Sequence, residues 1–417
     1  MFGWTCIPFI FQVVTRACRH EIKHLIKGLS TMYVDDVFGV TLRKHLEHDM
    51  AVSRKALTDL LGDDAVSDPK SAWGRILDII GWRIDLNGMH VTISRKNLLN
   101  AFYAFYSVDL ESKSSLRTLQ RLASLGCRYS LVCPAMRPFS TALYQHTAGC
   151  TDKNVQFSLS PAAKLSVIMW RAMFFLMSQH ETRYARSLQS FRPAPTRICL
   201  RTDASLSGAG GYLFYRDKSN GAETVTGSYA TDLIPLGFGV DSSYQNAAEF
   251  IGIVMGLVAL RKMGLRDIDI CISGDSMSAL KWANDNTFKS ATVSNASVVF
   301  TLVCLAFGFH VCEAEHVSGV DNWKADRLSR LAEGASLEAT LEQIGFRGVP
   351  VIQLADCPHS GTLLAACKPN PGGIAMEAKQ FTEFWSTIRI ALHGLDGNPA
   401  SHSWILSQHS NGRNVTT

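Results

Sequence analysis

Between residues 196 and 335 the chain reads strand, strand, strand, helix, strand, helix, helix, strand, helix, and this order constrains the fold more than any other feature. "TRICLRTDAS", "GGYLFYRD" and "AETVTGSYA" supply the first three strands, and "QNAAEFIGIVMGLVALRKMG" the first helix. "DIDICISGD" (strand), "SMSALKWAND" (helix), an apolar helix near 296–308, "FHVCEAEHV" (strand) and "NWKADRLSRLAE" (helix) follow. Consecutive strands followed by helices alternating with strands build a mixed sheet with helices on its faces. The fold class is therefore α/β, or α+β.

Upstream the pattern differs, and "FRPAPTR" (191–197), rich in Pro and Arg, is the expected linker. Residues 9–28 read as a helix, and "TMYVDDVFGVT" as a β-hairpin with Asp35 and Asp36 at its turn. An amphipathic helix, "LRKHLEHDMAVSRKALTDLLG", leads to a second hairpin, "ILDIIGWRIDLNGMHVTIS", with Asn87-Gly88 as a type I′ signal. Ser94 is a candidate N-cap for "RKNLLNAFYAFYSV", and 112–190 looks mostly helical. Beyond 336 there is little signal apart from a possible helix in "MEAKQFTEFWSTIRIALHG".

Charge is uneven although the net value is only +5. Residues 91–146 carry seven Lys or Arg against Asp109 and Glu111, and 181–202 carry five arginines against one acid. Local basic excess attracts phosphate backbones, although such faces are often simply solvated. Eleven cysteines without a C-x-x-C pair fit neither a disulfide framework nor a zinc site. Reduced thiols in a cytoplasmic or nuclear compartment are expected, not secretion. "ASVVFTLVCLAFGFHVC" (296–312) approaches membrane-span length but runs into polar "EAEHVSG" without basic anchors, so no membrane segment is expected.

Four carboxylates fall at element edges in the second half. Asp203 ends the first strand, Glu249 lies in the first helix, Asp275 ends the fourth strand and Asp326 opens the last helix. His316 lies ten residues before Asp326, and Gly208, Gly210 and Gly211 follow Asp203 where the chain turns back. Singly, such acids are commonly caps or surface charges. Glu249 is harder to explain that way, because it interrupts the apolar run "AAEFIGIVMGLVAL". An unpaired carboxylate buried there costs several kcal/mol unless a cation or partner compensates. Carboxylates converging above one sheet edge can hold two divalent cations about 3.5–4 Å apart, the arrangement that hydrolyses phosphodiesters. All-oxygen ligands suit Mg²⁺ or Mn²⁺.

"TDASLSGAGGYL", "NAAEFIGIVMGL", "SGDSMSALKWA" and "HVSGVDNWKADRLSR" resemble the four motifs of ribonuclease H in the form carried by retrotransposon Pol polyproteins, over about 196–335. The resemblance implies a five-stranded mixed sheet with flanking helices and cleavage of the RNA strand of an RNA–DNA hybrid. It implies Asp203, Glu249, Asp275 and Asp326 as metal ligands and His316 in proton transfer or product release. An integrase- or transposase-type nuclease, with Asp203, Asp275 and Glu315 as its triad, is a related reading that the helical acid and the His316–Asp326 pair oppose.

Beside that match, "YVDD" resembles the catalytic hairpin of reverse transcriptases, whose Asp35 and Asp36 equivalents bind metal. "FGWTCIPFIFQVVTRA", "GDDAVSDPKSAW" and "IIGWRIDLNGMHVTIS" resemble the segment before that hairpin, the lysine-containing palm end and the primer-gripping hairpin. "LRTLQRLASLG" and "AMRPFSTALY" resemble the thumb and connection of Gypsy- or DIRS-type elements. The resemblance implies a partial palm at 1–110, a helical thumb and connection at 111–195, ribonuclease H at 196–335 and an extension at 336–417. Nucleotidyl transfer needs a further upstream aspartate, and only Glu21 is acidic among the 34 residues before Asp35. The expectation is thus a Pol fragment, from a truncated element or incomplete gene model, with a working nuclease and an inactive polymerase hairpin. Other parts of the polyprotein are expected partners, and polymerase activity would require a separate chain to supply the missing strand. The competing expectation is a nucleic-acid-binding remnant without catalysis.

Overall fold

The computed structural model describes residues 7–369, apart from 35, 151, 153, 180–183, 192–195, 218, 239–240, 286–292 and 355–356, together with 383, 386–388, 390–392 and 394–395. The chain divides into two units, Met1–Gly88 and Met89–Thr417. Both mix helix and strand.

In the first unit, helix α1 (Ile7–Leu25) leads into an antiparallel hairpin of β1 (Leu29–Tyr33) and β2 (Asp36–Val40). Helix α2 (Leu46–Leu61) and a second hairpin of β3 (Ile76–Ile79) and β4 (Trp82–Asp85) follow. Cys18 and Ile22, one turn apart on α1, pack on Ala56 and Leu57 of α2, with Ile26, Met32, Val37 and Val66 at the edge. Asp49 of α2 is the polar centre of this unit, only 6% exposed. Its carboxylate accepts hydrogen bonds from the backbone N–H of Lys27 (2.9 Å) and Gly28 (3.0 Å) and from the Thr41 hydroxyl (2.6 Å). One side chain therefore ties the segment entering β1 to the residue leaving β2. A Cβ at Gly28 would collide with the Val40 carbonyl and Thr41, so this approach requires glycine. Burial alone would raise the Asp49 carboxyl. These donors and the His48 ring outweigh it and hold the group well below the usual carboxylate range.

The primed turn geometry occurs at Ile80–Gly81 (φ 50° and 80°), between β3 and β4. It does not occur at Asn87-Gly88, where the dipeptide suggested it. There the Asp85 carboxylate accepts the N–H groups of Asn87 (2.7 Å) and Gly88 (3.0 Å), which gives the backbone a local alternative.

The second unit begins with β5 (His90–Ile93) and α3 (Arg95–Tyr106), then β6 (Ser114–Ser115), α4 (Leu116–Tyr129), α5 (Arg137–His146), β7 (Gln156–Phe157), α6 (Pro161–Gln179) and β8 (Arg186–Ser187). Ser115 caps α4 by accepting from the Thr118 N–H (3.2 Å), whereas Ser94 makes no side-chain cap bond to α3. Trp170 and Phe174 of α6 pack with Phe105 of α3 in the core of this helical region. Most of the linker assignment, 192–195, lies outside the described residues.

The sheet that follows contains β9 (Thr196–Ala204), β10 (Gly208–Asp217), β11 (Glu223–Asp232), β12 (Ile268–Gly274), β13 (Phe309–His316) and β14 (Val351–Gln353), in the order β13-β12-β9-β10-β11-β14. β9, β10 and β11 are antiparallel, while β12 runs parallel to β9, β13 to β12 and β14 to β11. The sheet thus has a sixth strand beyond the expected five. β14 is too short to leave a pattern, and it is held where Ser228 N–H donates to the Pro350 carbonyl (2.9 Å). Helix α11 (Leu337–Gln343) precedes it, and Ile344 and Phe346 join Tyr212, Phe214, Ala325 and Leu328 in the core. The helix suggested for 376–394 lies largely outside the described residues.

Helices α7 (Gln245–Lys262), α8 (Met277–Asp285), α9 (Ser294–Phe307), α10 (Trp323–Ser329) and α12 (Pro358–Ala366) complete the unit. α7 is buried from Ala247 to Arg261, which explains its lack of a polar face. The helical stretch Ser242–Lys262 is long and apolar enough to cross a membrane by composition, but 78% of its apolar window is buried in protein. Successive strand residues face opposite ways. Ala209 meets Gly252 of α7, and Gly210 meets Leu328 of α10, so these helices lie on opposite faces of the sheet.

A Cβ at Gly210 would overlap the backbone of Leu328 and Ser329, neither of which is a flexible tip. Gly210→Ala is expected to destabilise the protein by about 1–3 kcal/mol through overpacking, read as a lower midpoint in chemical denaturation. An unchanged midpoint contradicts the packing argument. Asp49→Asn tests the first unit. A carboxyl held low in the folded state contributes stability that is present above its unfolded value of about 3.9 and lost as pH falls through the folded one. The stability gap between native protein and Asp49→Asn is therefore expected to be full at pH 7 and to shrink below about pH 4, followed by far-UV circular dichroism. A gap independent of pH would show that Asp49 acts only through packing.

Candidate metal centre

Two parallel neighbouring strands present their C-terminal ends at the same sheet edge. Asp203 lies near the end of β9, and Asp275 immediately follows β12. Glu249 enters from the second turn of α7, on the face where Gly252 packs on Ala204 and Ala209. One oxygen from each of Asp203, Glu249 and Asp275 lies within 4.8 Å of the others, and Asp203 and Glu249 are buried. This is the only such group among the described residues. Asp275 Oδ1 is buried without a hydrogen-bond partner, an unsatisfied acceptor on one member of this all-oxygen cluster. That donor set fits a hard divalent cation such as Mg²⁺ or Mn²⁺.

The electrostatics give the same result. Burial, reinforced by the charges of Asp275 and Asp326, pushes Asp203 up to about 6 against the opposing Ser329 hydrogen bond and Arg330 charge. Glu249 is pushed up to about 9 by burial and then by Asp203 and Asp275; its bond from Gln245 Nε2 (3.1 Å) only partly offsets this. Like charges this close, two of them buried, oppose one another's ionisation, and a bound cation would relieve that opposition.

Two polar residues that the sequence did not single out hold Asp203 from the other face. Asn322, fully buried, donates through Nδ2 to Asp203 Oδ1 (3.2 Å) and to the Thr202 carbonyl (3.1 Å). Ser329 Oγ donates to Asp203 Oδ2 (2.7 Å). Their only signal in the sequence was membership of the segment containing His316 and Asp326.

Asp326 stands outside the close cluster. It is a half-exposed acceptor from Arg330 Nε (2.9 Å), four residues on, and acts on Asp203 through its charge. His316 is exposed at the end of β13, opposite Gly274 in register and so beside Asp275 along the edge. Glu315 pairs with Arg216 (2.6 Å) and does not join Asp203 and Asp275. In the first unit, Asp36 is exposed at the start of β2, after Val34 with φ 56°, and belongs to no metal-binding group among the described residues. Asp35 lies outside the described residues.

No family model and no curated protein matches the chain. Among solved structures, it is similar to RNase H1 from the halophilic archaeon Halobacterium salinarum NRC-1, at 18% identity over 33% of this chain and 99% of that one (TM-score 0.26). It is also similar to the N-terminal RNase H domain of Rv2228c from Mycobacterium tuberculosis, at 17% identity over 36% of this chain and 98% of that one (TM-score 0.23). A foamy viral protease-reverse transcriptase in complex with dsDNA is 13% identical over 76% of this chain, which spans 60% of that protein (TM-score 0.32).

The raised carboxyls carry a sign. Without cation, the folded site keeps protons that the unfolded chain has released above about pH 4. Stability therefore falls as pH climbs from there through the folded values of about 6 and about 9. Mg²⁺ removes this penalty, so its thermal stabilisation is expected to grow between pH 5 and 9, measured as the difference in Tm with Mg²⁺ and with EDTA. A difference that is absent, or flat with pH, contradicts the assignment of these carboxylates as ligands.

Proposed function

We propose that the second unit contains a two-metal ribonuclease H that hydrolyses the RNA strand of RNA–DNA hybrids. The chain would belong to a retroelement Pol polyprotein, of the Gypsy or DIRS kind. The observation that carries this reading is the meeting of Asp203, Glu249 and Asp275 at one sheet edge, with a buried acceptor of Asp275 left unsatisfied. The motif resemblance over 196–335 supplies the reaction class. Asp203, Glu249 and Asp275 would hold the ions, with Asp326 adding a fourth negative charge nearby. Bound divalent cations supply Lewis acidity toward the attacking and leaving oxygens of a phosphodiester. His316, exposed beside the edge, would take or give a proton during cleavage or product release. Discrimination of RNA from DNA would rest on the 2′-hydroxyl.

Further support comes from α4. Arg117, Arg121 and Arg128 recur at helical spacing, all exposed, and the helix carries no acid. Such a stripe suits the phosphate backbone of the hybrid. On this reading 1–110 and 111–195 derive from a reverse-transcriptase palm and a thumb with connection, and 336–417 is an extension. No polymerase step is assigned to Asp35 or Asp36.

The test uses the full chain and a hybrid labelled on each strand in turn. Cleavage confined to the RNA strand is expected with Mg²⁺, none with EDTA, and a loss of at least about 100-fold for Asp203→Asn, since removing a metal ligand removes the charge stabilisation the ion supplies. A folded protein that binds the hybrid without cutting it overturns the catalytic reading and favours a silent nucleic-acid-binding remnant.

A further inference from the structure

We infer that Ser329 is a positioning residue for Asp203 and thereby sets how tightly the site takes a divalent cation. The inference rests on the reading that Asp203, Glu249 and Asp275 hold the ion. Ser329 is 1% exposed, and its hydroxyl lies 2.7 Å from Asp203 Oδ2 and 2.9 Å from the Asp326 carbonyl. It has one proton to give, and a carboxylate is the stronger acceptor. Asn322 already occupies the other carboxylate oxygen, Oδ1, at 3.2 Å. Each oxygen of Asp203 thus has its own donor, and both donors come from the α10 side of the sheet, opposite Glu249. Two donors fix both the rotation and the tilt of the carboxylate, whereas Asn322 alone leaves the ring of possible orientations about its bond to Oδ1.

Ser329 can act this way because its own place is fixed by backbone contact. Gly208 sits against the Ser329 carbonyl and Gly210 against the Leu328 carbonyl carbon and the Ser329 nitrogen, with no room for a Cβ at either glycine. The seat of α10 on β10 is therefore transmitted through one hydroxyl to the ligand. Residues that orient a metal ligand commonly contribute about 10–100-fold in metal affinity when removed.

The experiment measures Mn²⁺ binding to the full chain by the electron paramagnetic resonance signal of the free ion. Native protein, Ser329→Ala, Ser329→Thr, Ser329→Cys and Asp203→Asn are compared at one pH. Ser329→Ala is expected to bind Mn²⁺ about 10–100-fold more weakly, with Ser329→Thr, which keeps the hydroxyl, rescuing most of the loss. Native affinity in a folded Ser329→Ala, even with a lowered Tm, overturns the inference and leaves Ser329 a packing residue. If Ser329→Ala is unfolded, Ser329→Cys decides. It is close in size with a weak donor, so native affinity there overturns the inference and weakened affinity supports it. Native affinity in Asp203→Asn overturns the three-carboxylate reading itself. Loss in Asp203→Asn with none in the serine variants overturns only the role of Ser329.

Discussion

Three carboxylates crowded within 4.8 Å in a largely buried site repel one another, and Oδ1 of Asp275 is left without a donor. The arrangement persists only because the fold holds it from three directions. Parallel pairing of β9 with β12 brings Asp203 and Asp275 to one edge. The burial of α7 leaves Glu249 nowhere to turn. α10 closes the other face with Asn322 and Ser329. Repulsion at the edge is then offset by apolar burial elsewhere in the sheet and helices, and is available to any cation that enters.

Glycine is what lets the two helices come this close. On one side, Gly252 and Gly256 of α7, one turn apart, face Ala204, Ala209, Leu200 and Tyr229, and the Tyr229 hydroxyl donates to the Gly252 carbonyl (2.8 Å). On the other, Gly208 and Gly210 of β10 admit the backbone of α10. Each contact trades side-chain volume for proximity. The cluster of glycines after Asp203 in the sequence is thus a requirement of the site as much as of the turn.

Some of this was legible before any coordinates. Glu249 stood out because a charge inside an apolar helix has few structural explanations. Asp203 and Asp275 stood out because both fell at strand ends, and the order of elements placed those ends on a shared sheet. Asp326 was legible as part of a motif, but its pairing with Arg330 was not, since an i, i+4 ion pair leaves no trace that separates it from a ligand. Ser329 and Asn322 were missed for a different reason. Their partner lies 126 and 119 residues away, and a serine or asparagine near a helix ordinarily reads as a local cap. β14 escaped because three residues carry no periodicity.

Two of the buried acids among the described residues, Asp49 and Glu249, stand in contrasting surroundings. Asp49 is surrounded by donors, two backbone N–H groups, a hydroxyl and a histidine ring, and its carboxyl is held low. Nothing further is needed there, and its work is to tie a helix to a hairpin. Glu249 accepts from the Gln245 amide and the Ala204 backbone N–H, but burial and then two like charges drive its carboxyl up. Asp203 has a donor on each oxygen and is still raised, because burial and like charge outweigh them, and the unpartnered Oδ1 of Asp275 is the acceptor left open at this edge.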